Sequence, residues 1–190
     1  MTQTPVDFHL HRSHHAVEPH RPDPRAFRAV AGLFTTGVTV VTSSRGSEGR
    51  GMTANAFTSV SLDPLLVLVC VRRDSEMRRL VDATHHFAVS VLAASQQDVA
   101  TWFANPARPR GRAQFDSVDW QPGRATGAPV IGGCLAWLEC AVAERVGAGD
   151  HMVLIGRVLD LGRSEATEPL VFFNGAYVTA TPVAAARAAG

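Results

Sequence analysis

The sequence contains no lysine, and all 18 of its basic residues are arginine. Reactions that need a lysine Schiff base, a lysine general base or the lysine of a phosphate-binding P-loop are therefore excluded. The 17 acidic residues leave a formal net charge of +1, so the attraction to a phosphate backbone is weak overall. We therefore expect no nucleic-acid partner.

Cysteines and long apolar runs are also scarce. The three cysteines, Cys70, Cys134 and Cys140, are odd in number and lie in apolar stretches, which predicts buried thiols rather than a disulfide framework. Their spacing matches no zinc site, and we expect no metal. No run reaches the roughly 18 apolar residues that cross a membrane, and the N-terminus has no apolar signal-peptide segment. These features predict a soluble cytoplasmic protein that does not enter a membrane.

The length of 190 residues suits one domain with polar ends. Residues 1–22 hold five of the eight histidines, which predicts a disordered extension; a metal-binding histidine tract is the alternative. Asp23 before Pro24 predicts the N-cap and first position of a helix. The folded domain is predicted over 23–180, followed by a frayed Ala-rich tail over 181–190.

Extended segments dominate the predicted domain. The β-branched run 38–42 and the glycines that follow it predict a hairpin, and short helices are predicted to open at Ser75 and Ser95. Further strands are predicted at 52–61, 65–71, 87–92, 134–146, 151–161 and 169–173. Residues 105–129, rich in Pro, Arg and Gly, are predicted to run over the surface and to carry function or cover a site. This pattern favours a mainly β, antiparallel barrel.

One predicted strand carries more polar side chains than a buried strand would. Alternation along 52–61 places Thr53, Asn55, Phe57, Ser59 and Ser61 on one face. The simpler interpretation is a face exposed to solvent. The alternative is the lining of a site for a flat heteroaromatic ring, whose edge would need several hydrogen bonds.

Several motifs, in order and spacing, resemble the short-chain flavin reductase family, the reductase components of two-component monooxygenases. The resemblance covers about residues 25–178, and Leu65 stands where the family often has a second proline. It rests on Thr36-Gly37-Val38, Gly51-Met52-Thr53-Ala54-Asn55-Ala56-Phe57, Ser59-Val60-Ser61-Leu62-Asp63-Pro64, Leu138-Glu139-Cys140, Gly149-Asp150-His151 and the stretch from Pro169 to Tyr177.

The resemblance implies a homodimeric split β-barrel of Greek-key antiparallel strands with short inserted helices. It implies that the protein binds FMN or FAD near the dimer interface, oxidises NADH or NADPH, and passes reduced flavin transiently to a partner monooxygenase. The implied flavin contacts are Thr36, Gly37, Met52, Thr53, Ala54, Asn55, Ser59, Val60 and Ser61.

The resemblance also implies a phosphate site and a catalytic histidine. Val71, Arg72 and Ser75 would approach the flavin phosphate, since a helix N-terminus beside a hydroxyl and an arginine attracts anions. The alternative for Ser75 is a plain helix cap, and for Arg72 a solvated charge. His151 would lie near the nicotinamide, in an orienting or electrostatic role; alternatively it merely ends a hairpin.

Two other functions remain open for the same barrel. One is a non-catalytic protein that binds or stores flavin, which would not oxidise NADH. The other is an oxidase of pyridoxamine phosphate, which the Gly-Asp-His and Thr-Ala-Asn motifs disfavour.

Overall fold

The structure is a computed structural model that describes residues 23–180. The predicted extension at 1–22 and tail at 181–190 lie outside the described residues. The helices are α1 (Pro24–Ala31), α2 (Glu76–Thr84) and α3 (Gln97–Ala104). The strands are β1 (Thr36–Gly37), β2 (Thr39–Arg45), β3 (Glu48–Ala54), β4 (Phe57–Leu62), β5 (Leu65–Arg72), β6 (His86–Val91), β7 (Trp120–Pro122), β8 (Pro129–Ile131), β9 (Ala136–Ala148), β10 (His151–Arg163), β11 (Leu170–Phe173) and β12 (Ala176–Thr179).

Seven strands form one sheet in the order β3-β2-β6-β9-β10-β5-β4, in which every neighbouring pair is antiparallel. The mainly β, antiparallel prediction is confirmed. Two smaller sheets, β1-β11-β12 and β7-β8, lie beside it. No ladder pairs β3 with β4 in the described chain, so the predicted barrel is open between these two edge strands.

The single strand predicted over 52–61 is wrong, because the chain leaves the ladder at Asn55 and Ala56. β3 pairs with β2 and β4 pairs with β5, at opposite edges of the sheet. The two residues between them connect these edges and cannot belong to either ladder. The long hairpin predicted near the C-terminal end is confirmed as β9 and β10, joined through Gly149 at φ +58°.

Helix starts follow local capping chemistry in two of three cases. The Asp23 carboxylate accepts from the backbone N–H of Arg25 at 3.2 Å, and Pro24 is the first residue of α1, as predicted. The Ser75 hydroxyl likewise accepts from the N–H of Arg78 at 3.1 Å. Ser95 does not begin α3, because it lies inside a 3-10 turn (Ala94–Gln96) and the α-helix starts at Gln97.

Strand β2 separates two buried apolar clusters and contributes to both. Val41 packs into the first cluster with residues of β5, β6 and α2, among them Val69 and Phe87. Val38, just before β2, and Val40 pack into the second cluster with α3. Because both faces of β2 are covered over residues 39–43, the side chains there are either apolar or have their hydroxyls hydrogen-bonded.

The segment predicted to run over the surface is packed into the fold over its first half. It contains a 3-10 turn (Gly111–Phe115), and Gln114 and Phe115 are almost completely buried. The Phe115 ring lies 5.4 Å from that of Phe103 and 5.6 Å from that of Trp120, measured between centroids. The segment was predicted to lie on the surface because it is polar and rich in glycine, although the side chains of Arg108, Gln114 and Phe115 are buried.

The structure contains thiols and no disulfide among the three cysteines, as the sequence predicted. All three cysteines are free, and burial raises the pKa of each thiol, that of Cys140 to about 12. In the described part of the chain, no three His, Cys, Asp or Glu side chains form a metal-binding group. Among the described helices, none has the length and apolar character to span a bilayer.

A buried carboxylate organises the loop before β8. Glu139 of β9 is fully buried, and its oxygens accept from the N–H of Ala125 at 3.1 Å and the N–H of Thr126 at 2.6 Å. The Thr126 hydroxyl donates to the same carboxylate at 2.5 Å. Backbone groups that no strand pairs are thereby satisfied, which a buried loop requires.

We expect Glu139→Gln to lower the free energy of unfolding by about 2–3 kcal/mol, because an amide nitrogen would face N–H donors. Urea denaturation followed by circular dichroism measures this loss. The matched control is Glu165→Gln, an exposed residue that follows β10, which should change stability by less than about 0.5 kcal/mol. Equal effects of the two substitutions would contradict the role given to Glu139.

Candidate functional site

The link between the two edge strands is the most exposed part of the predicted flavin wall. Asn55 and Ala56 are both exposed, and the Ala56 carbonyl accepts from the N–H of Cys70 on β5 at 3.2 Å. Within residues 23–180 the Asn55 side chain has no hydrogen-bond partner, whereas its carbonyl accepts from the N–H of Phe57. The link is therefore held by its backbone, and it presents an amide that can bind a ligand.

The single polar face predicted along 52–61 is not present. The Thr53 hydroxyl donates to the Ala100 carbonyl of α3 at 2.6 Å, so it serves packing. Phe57 packs against the first apolar cluster, and the Ser61 hydroxyl accepts from the N–H of Asp63 at 3.2 Å. The register of β4 shifts between Ser59 and Ser61, which bulges Val60. The break at 55–56 and this bulge together destroy the strict alternation.

A cavity of about 240 Å³ lies against the end of β3. Phe172 and Tyr177 face each other across the β11–β12 hairpin in an edge arrangement, with ring centroids 5.6 Å apart. The cavity is smaller than the roughly 300 Å³ of a typical small-molecule site, so it accommodates part of a nucleotide. Its walls come from four parts of the chain: Val38, Thr53, Ala54, Asn55, Ala104, Phe172 and Tyr177.

Thr36 and Gly37 do not line this cavity, but they pair with a strand that supplies one of its walls. Thr36 pairs with Phe172 and Gly37 with Val171, so β1 holds the hairpin that supplies one wall. The Thr36 hydroxyl is buried and has no hydrogen-bond partner among residues 23–180. A buried hydroxyl without a partner is costly, and a ligand atom would satisfy it.

The second group of predicted residues meets where β5 ends and β10 begins. His151 lies directly opposite Arg72, and Met152 opposite Val71, so the histidine and the arginine share one face of the sheet. The N–H of Arg73 donates to the Asp150 carbonyl at 3.0 Å, which closes this end. Because Ala56 binds Cys70, two residues before Arg72, the exposed link is close to the same end of the sheet.

His151 forms a hydrogen bond with its sequence neighbour. Its Nδ1 lies 2.8 Å from Oδ1 of Asp150, and this hydrogen bond lowers the pKa of the Asp150 carboxyl. The imidazole side chain is 42% exposed. With Nδ1 held by a carboxylate, Nε2 is the ring nitrogen left to face a ligand.

Both groups of the predicted phosphate site already have partners within the chain. The Ser75 hydroxyl caps α2 and donates to the Arg72 carbonyl at 2.7 Å. The Arg72 guanidinium binds both oxygens of Asp74, at 3.1 and 3.0 Å, and lowers the pKa of that carboxyl. A phosphate at this end would therefore compete with Asp74 for Arg72.

Most of the chain is similar to a known protein family. Residues 31–181 match the family model described as flavin reductase like domain. The chain belongs to the flavin reductase family. The family resemblance stated from the motifs is thereby confirmed.

Individual members of the flavin reductase family are similar over most of their length. A curated relative, the NADH-dependent FAD reductase of Streptomyces globisporus, is 51% identical over 79% of this chain and 82% of its own. The crystal structure of BorF, the flavin reductase component of a bacterial two-component tryptophan halogenase, has a TM-score of 0.79 and 47% identity, covering 83% of this chain and 98% of its own. The Streptomyces globisporus C-1027 NADH:FAD oxidoreductase SgcE6, solved with NAD and FAD fragments, has a TM-score of 0.79 and 46% identity, covering 86% and 98%.

The cavity at the end of β3 fits part of a flat heteroaromatic ring. The cavity offers an aromatic pair and small side chains for the faces of such a ring. The exposed amide of Asn55, which has no partner within residues 23–180, offers hydrogen bonds to its edge. Residues from distant parts of the chain thus combine the properties that a flavin ring requires.

Sequence reasoning missed the walls that come from other elements. Ala104 and Phe172 line the cavity and were not predicted as site residues, and Tyr177 lines it beside them. Ala104 ends a helix and Phe172 lies in a short apolar strand, so neither differs locally from a core residue. Only the pairing of β1 with β11 brings Phe172 to the site.

We expect Asn55→Ala to raise the flavin dissociation constant by about tenfold, because the exposed amide supplies hydrogen bonds to the ring edge. Quenching of flavin fluorescence measures the affinity. Gln121→Ala removes an exposed amide on β7, away from the cavity, and should leave the affinity unchanged. An unchanged affinity in Asn55→Ala would exclude this residue from the site.

Proposed function

We propose that this protein transfers a hydride from NADH to FAD and releases the reduced flavin to a separate oxygenase component. Its membership of the flavin reductase family supports the reaction class, and the 51% identical relative is named for NADH and FAD. FMN and NADPH remain the alternatives as flavin and nicotinamide nucleotide. The similarity to BorF, the reductase component of a tryptophan halogenase, adds a flavin-dependent halogenase to the monooxygenases as a class of partner.

The observation that carries this proposal is the meeting of three sequence-distant segments at one end of the sheet. The link at Asn55, the end of β5 and the start of β10 are connected by backbone hydrogen bonds and by register. A bound flavin supplies the redox chemistry, so the chain has to bind, orient and exclude water rather than provide an acid–base pair.

The cavity residues hold the ring in this proposal. Met52, Thr53, Ala54 and Asn55 follow its edge, and Thr36 and Gly37 close the side next to the β11–β12 hairpin. The exposed residues Ser59 and Val60, together with Ser61, continue along β4 behind the link. Val71, Arg72 and Ser75 take the phosphate end, where Arg72 exchanges Asp74 for a phosphate oxygen.

His151 orients the nicotinamide in this proposal. Asp150 holds Nδ1, so the imidazole cannot rotate freely and Nε2 faces the ligand. An orienting group of this kind acts mainly on nucleotide binding, because the hydride passes between the two cofactors without its help.

The outer face of the sheet suggests a dimer. Side chains on the inner face of β5 are buried, while the other face carries three partly covered apolar side chains before the exposed Arg72. Leu66, Leu68 and Cys70 form this outer row, next to Val153 and Ile155 of β10. A strand that is apolar on both faces is typical of a sheet buried on both sides.

We propose that a second copy of the chain covers this face. The face is largely apolar, as homodimer interfaces are, and one patch can pair with itself across a two-fold axis. Arg72 and His151 lie opposite each other on this same face, so the dimer would form beside the site.

We also propose that the protein works in the cytoplasm, where its three free thiols would persist.

The reaction is tested by following NADH absorbance with FAD or FMN added. We expect turnover with NADH and FAD in the wild type, and a raised KM for NADH of about fivefold to tenfold in His151→Ala with little change in kcat. Flavin affinity is the internal control and should not change. Flavin binding without turnover in the wild type would favour the storage protein instead, and wild-type kinetics in His151→Ala would remove the histidine from the site.

We expect Ile155→Arg to give a monomer, because a charged side chain on the outer face cannot be desolvated in the interface. Analytical ultracentrifugation measures the mass. Ser117→Arg adds the same charge at an exposed loop position and should leave the dimer intact. A monomeric wild type, or a dimer unaffected by Ile155→Arg, would contradict the proposed interface.

A further inference from the structure

Strand β3 is an edge strand that leads directly into the proposed flavin wall. β2 pairs with it on one side, and on the other side no strand of the described chain continues the ladder. Unpaired backbone groups on a buried edge must find other partners. Residues 105–115 cover this edge.

Gln114 makes the hydrogen bonds that a neighbouring strand would make. Its side-chain oxygen accepts from the Gly51 N–H at 2.8 Å, and its side-chain nitrogen donates to the Gly49 carbonyl at 2.7 Å. The nitrogen also donates to the Gly111 carbonyl at 2.7 Å, a hydrogen bond within the 3-10 turn of the same segment. Gln114 is fully buried, so these bonds are shielded from water.

Arg108 also binds the backbone of the β3 edge. One guanidinium nitrogen donates to the Gly51 carbonyl, and another donates to the Asn105 carbonyl at 2.6 Å. The Arg108 Nε donates to the side-chain oxygen of Gln114 at 3.4 Å. The guanidinium carbon lies over the Phe103 ring, 5.9 Å from its centroid. The residue is only 7% exposed, and burial lowers the pKa of its guanidinium to about 10.

Glycine at two strand positions permits this close approach. A Cβ atom at Gly51 would lie 2.5 Å from Cε1 of Phe103, and one at Gly49 would lie 3.2 Å from Cε2 of Phe115. A side chain at Gly51 would therefore push Phe103 of α3 away from the strand, and one at Gly49 would press on Phe115 of the covering segment. The glycines predicted to punctuate a hairpin turn thus also serve packing.

We propose that Arg108 and Gln114 are positioning residues for the flavin site, acting through the backbone of β3. The proposal rests on the proposed function. Gly51, which both side chains bind, directly precedes the proposed wall at 52–55. Asn105, the other partner of Arg108, directly follows Ala104 in the cavity wall, so Arg108 joins two walls of one cavity.

A guanidinium suits this task because its planar fork reaches two carbonyls at once. A lysine could bind one of them but not both with the same geometry. Gln114 likewise offers an acceptor and a donor side by side, as a peptide group does. Loss of either side chain would leave buried backbone groups unpaired next to the wall.

The test compares flavin affinity in Gln114→Leu, Gln114→Glu and Arg108→Lys with that of the wild type. Gln114→Glu keeps an acceptor for the Gly51 N–H but has no donor for the Gly49 carbonyl, and it serves if the leucine variant does not fold. We expect the flavin dissociation constant to rise by about tenfold in each variant. We expect kcat at saturating flavin and the KM for NADH to stay close to wild type. Amide hydrogen exchange at Gly51 and Met52 should become faster.

Three controls separate positioning from loss of stability. Gln121→Leu and Arg124→Lys change exposed residues of the same types and should have no effect. Ile131→Ala removes a buried side chain of the second cluster that does not line the cavity; it should lower stability with unchanged flavin affinity. If Ile131→Ala weakens flavin binding as much as the test variants, stability alone explains the effect and the positioning role is overturned.

The outcomes also separate this proposal from the proposed function. If the wild type reduces flavin but the three test variants bind it equally well, only the positioning role is overturned. If the wild type binds flavin without oxidising NADH, the proposed reaction fails while the affinity comparison still tests Arg108 and Gln114. If the wild type binds no flavin, both proposals are overturned.

Discussion

The antiparallel register of β5 with its two neighbours decides where the groups of the site lie. On one side it sets Arg72 opposite His151, and near its other edge the Cys70 N–H holds the carbonyl of Ala56. A slip of one residue would turn His151 and Arg72 toward the inner face and Val71 toward the outer one. The buried row of valines on β5 prevents such a slip, because exposing it would cost the apolar contacts of the first cluster.

The open edge of the sheet is a second constraint, because the backbone groups of its edge strands need partners other than a neighbouring strand. A closed barrel has no unpaired strand, but here β3 and β4 both end the sheet at the place where the flavin is proposed to bind. An exposed link such as Asn55 can meet a ligand because it lies outside both ladders. Side chains bind the Gly51 N–H and the carbonyls of Gly49 and Gly51, so the edge combines access for a ligand with a fixed backbone.

Local sequence predicted those parts of the site that local chemistry decides. Ser75 and Asp23 cap helices as expected, since capping involves residues a few positions apart. The motif from Gly51 to Phe57 contains three residues that line the cavity, although the alternation predicted over 52–61 failed at Asn55 and Val60. Alternation assumes a continuous ladder, and whether the ladder continues depends on partner strands that the motif does not contain.

The sequence by itself determined the family, the mainly antiparallel β composition of the fold, the helix caps and the residues that carry polarity at the end of β3. The tertiary structure alone decided that Thr53 binds a helix carbonyl, that Phe172 reaches the cavity, and that Gln114 and Arg108 cover an edge strand. The reason is one of range. Capping and turn preferences act between neighbours in the chain, whereas a buried edge is satisfied by whichever segment the folded chain brings against it.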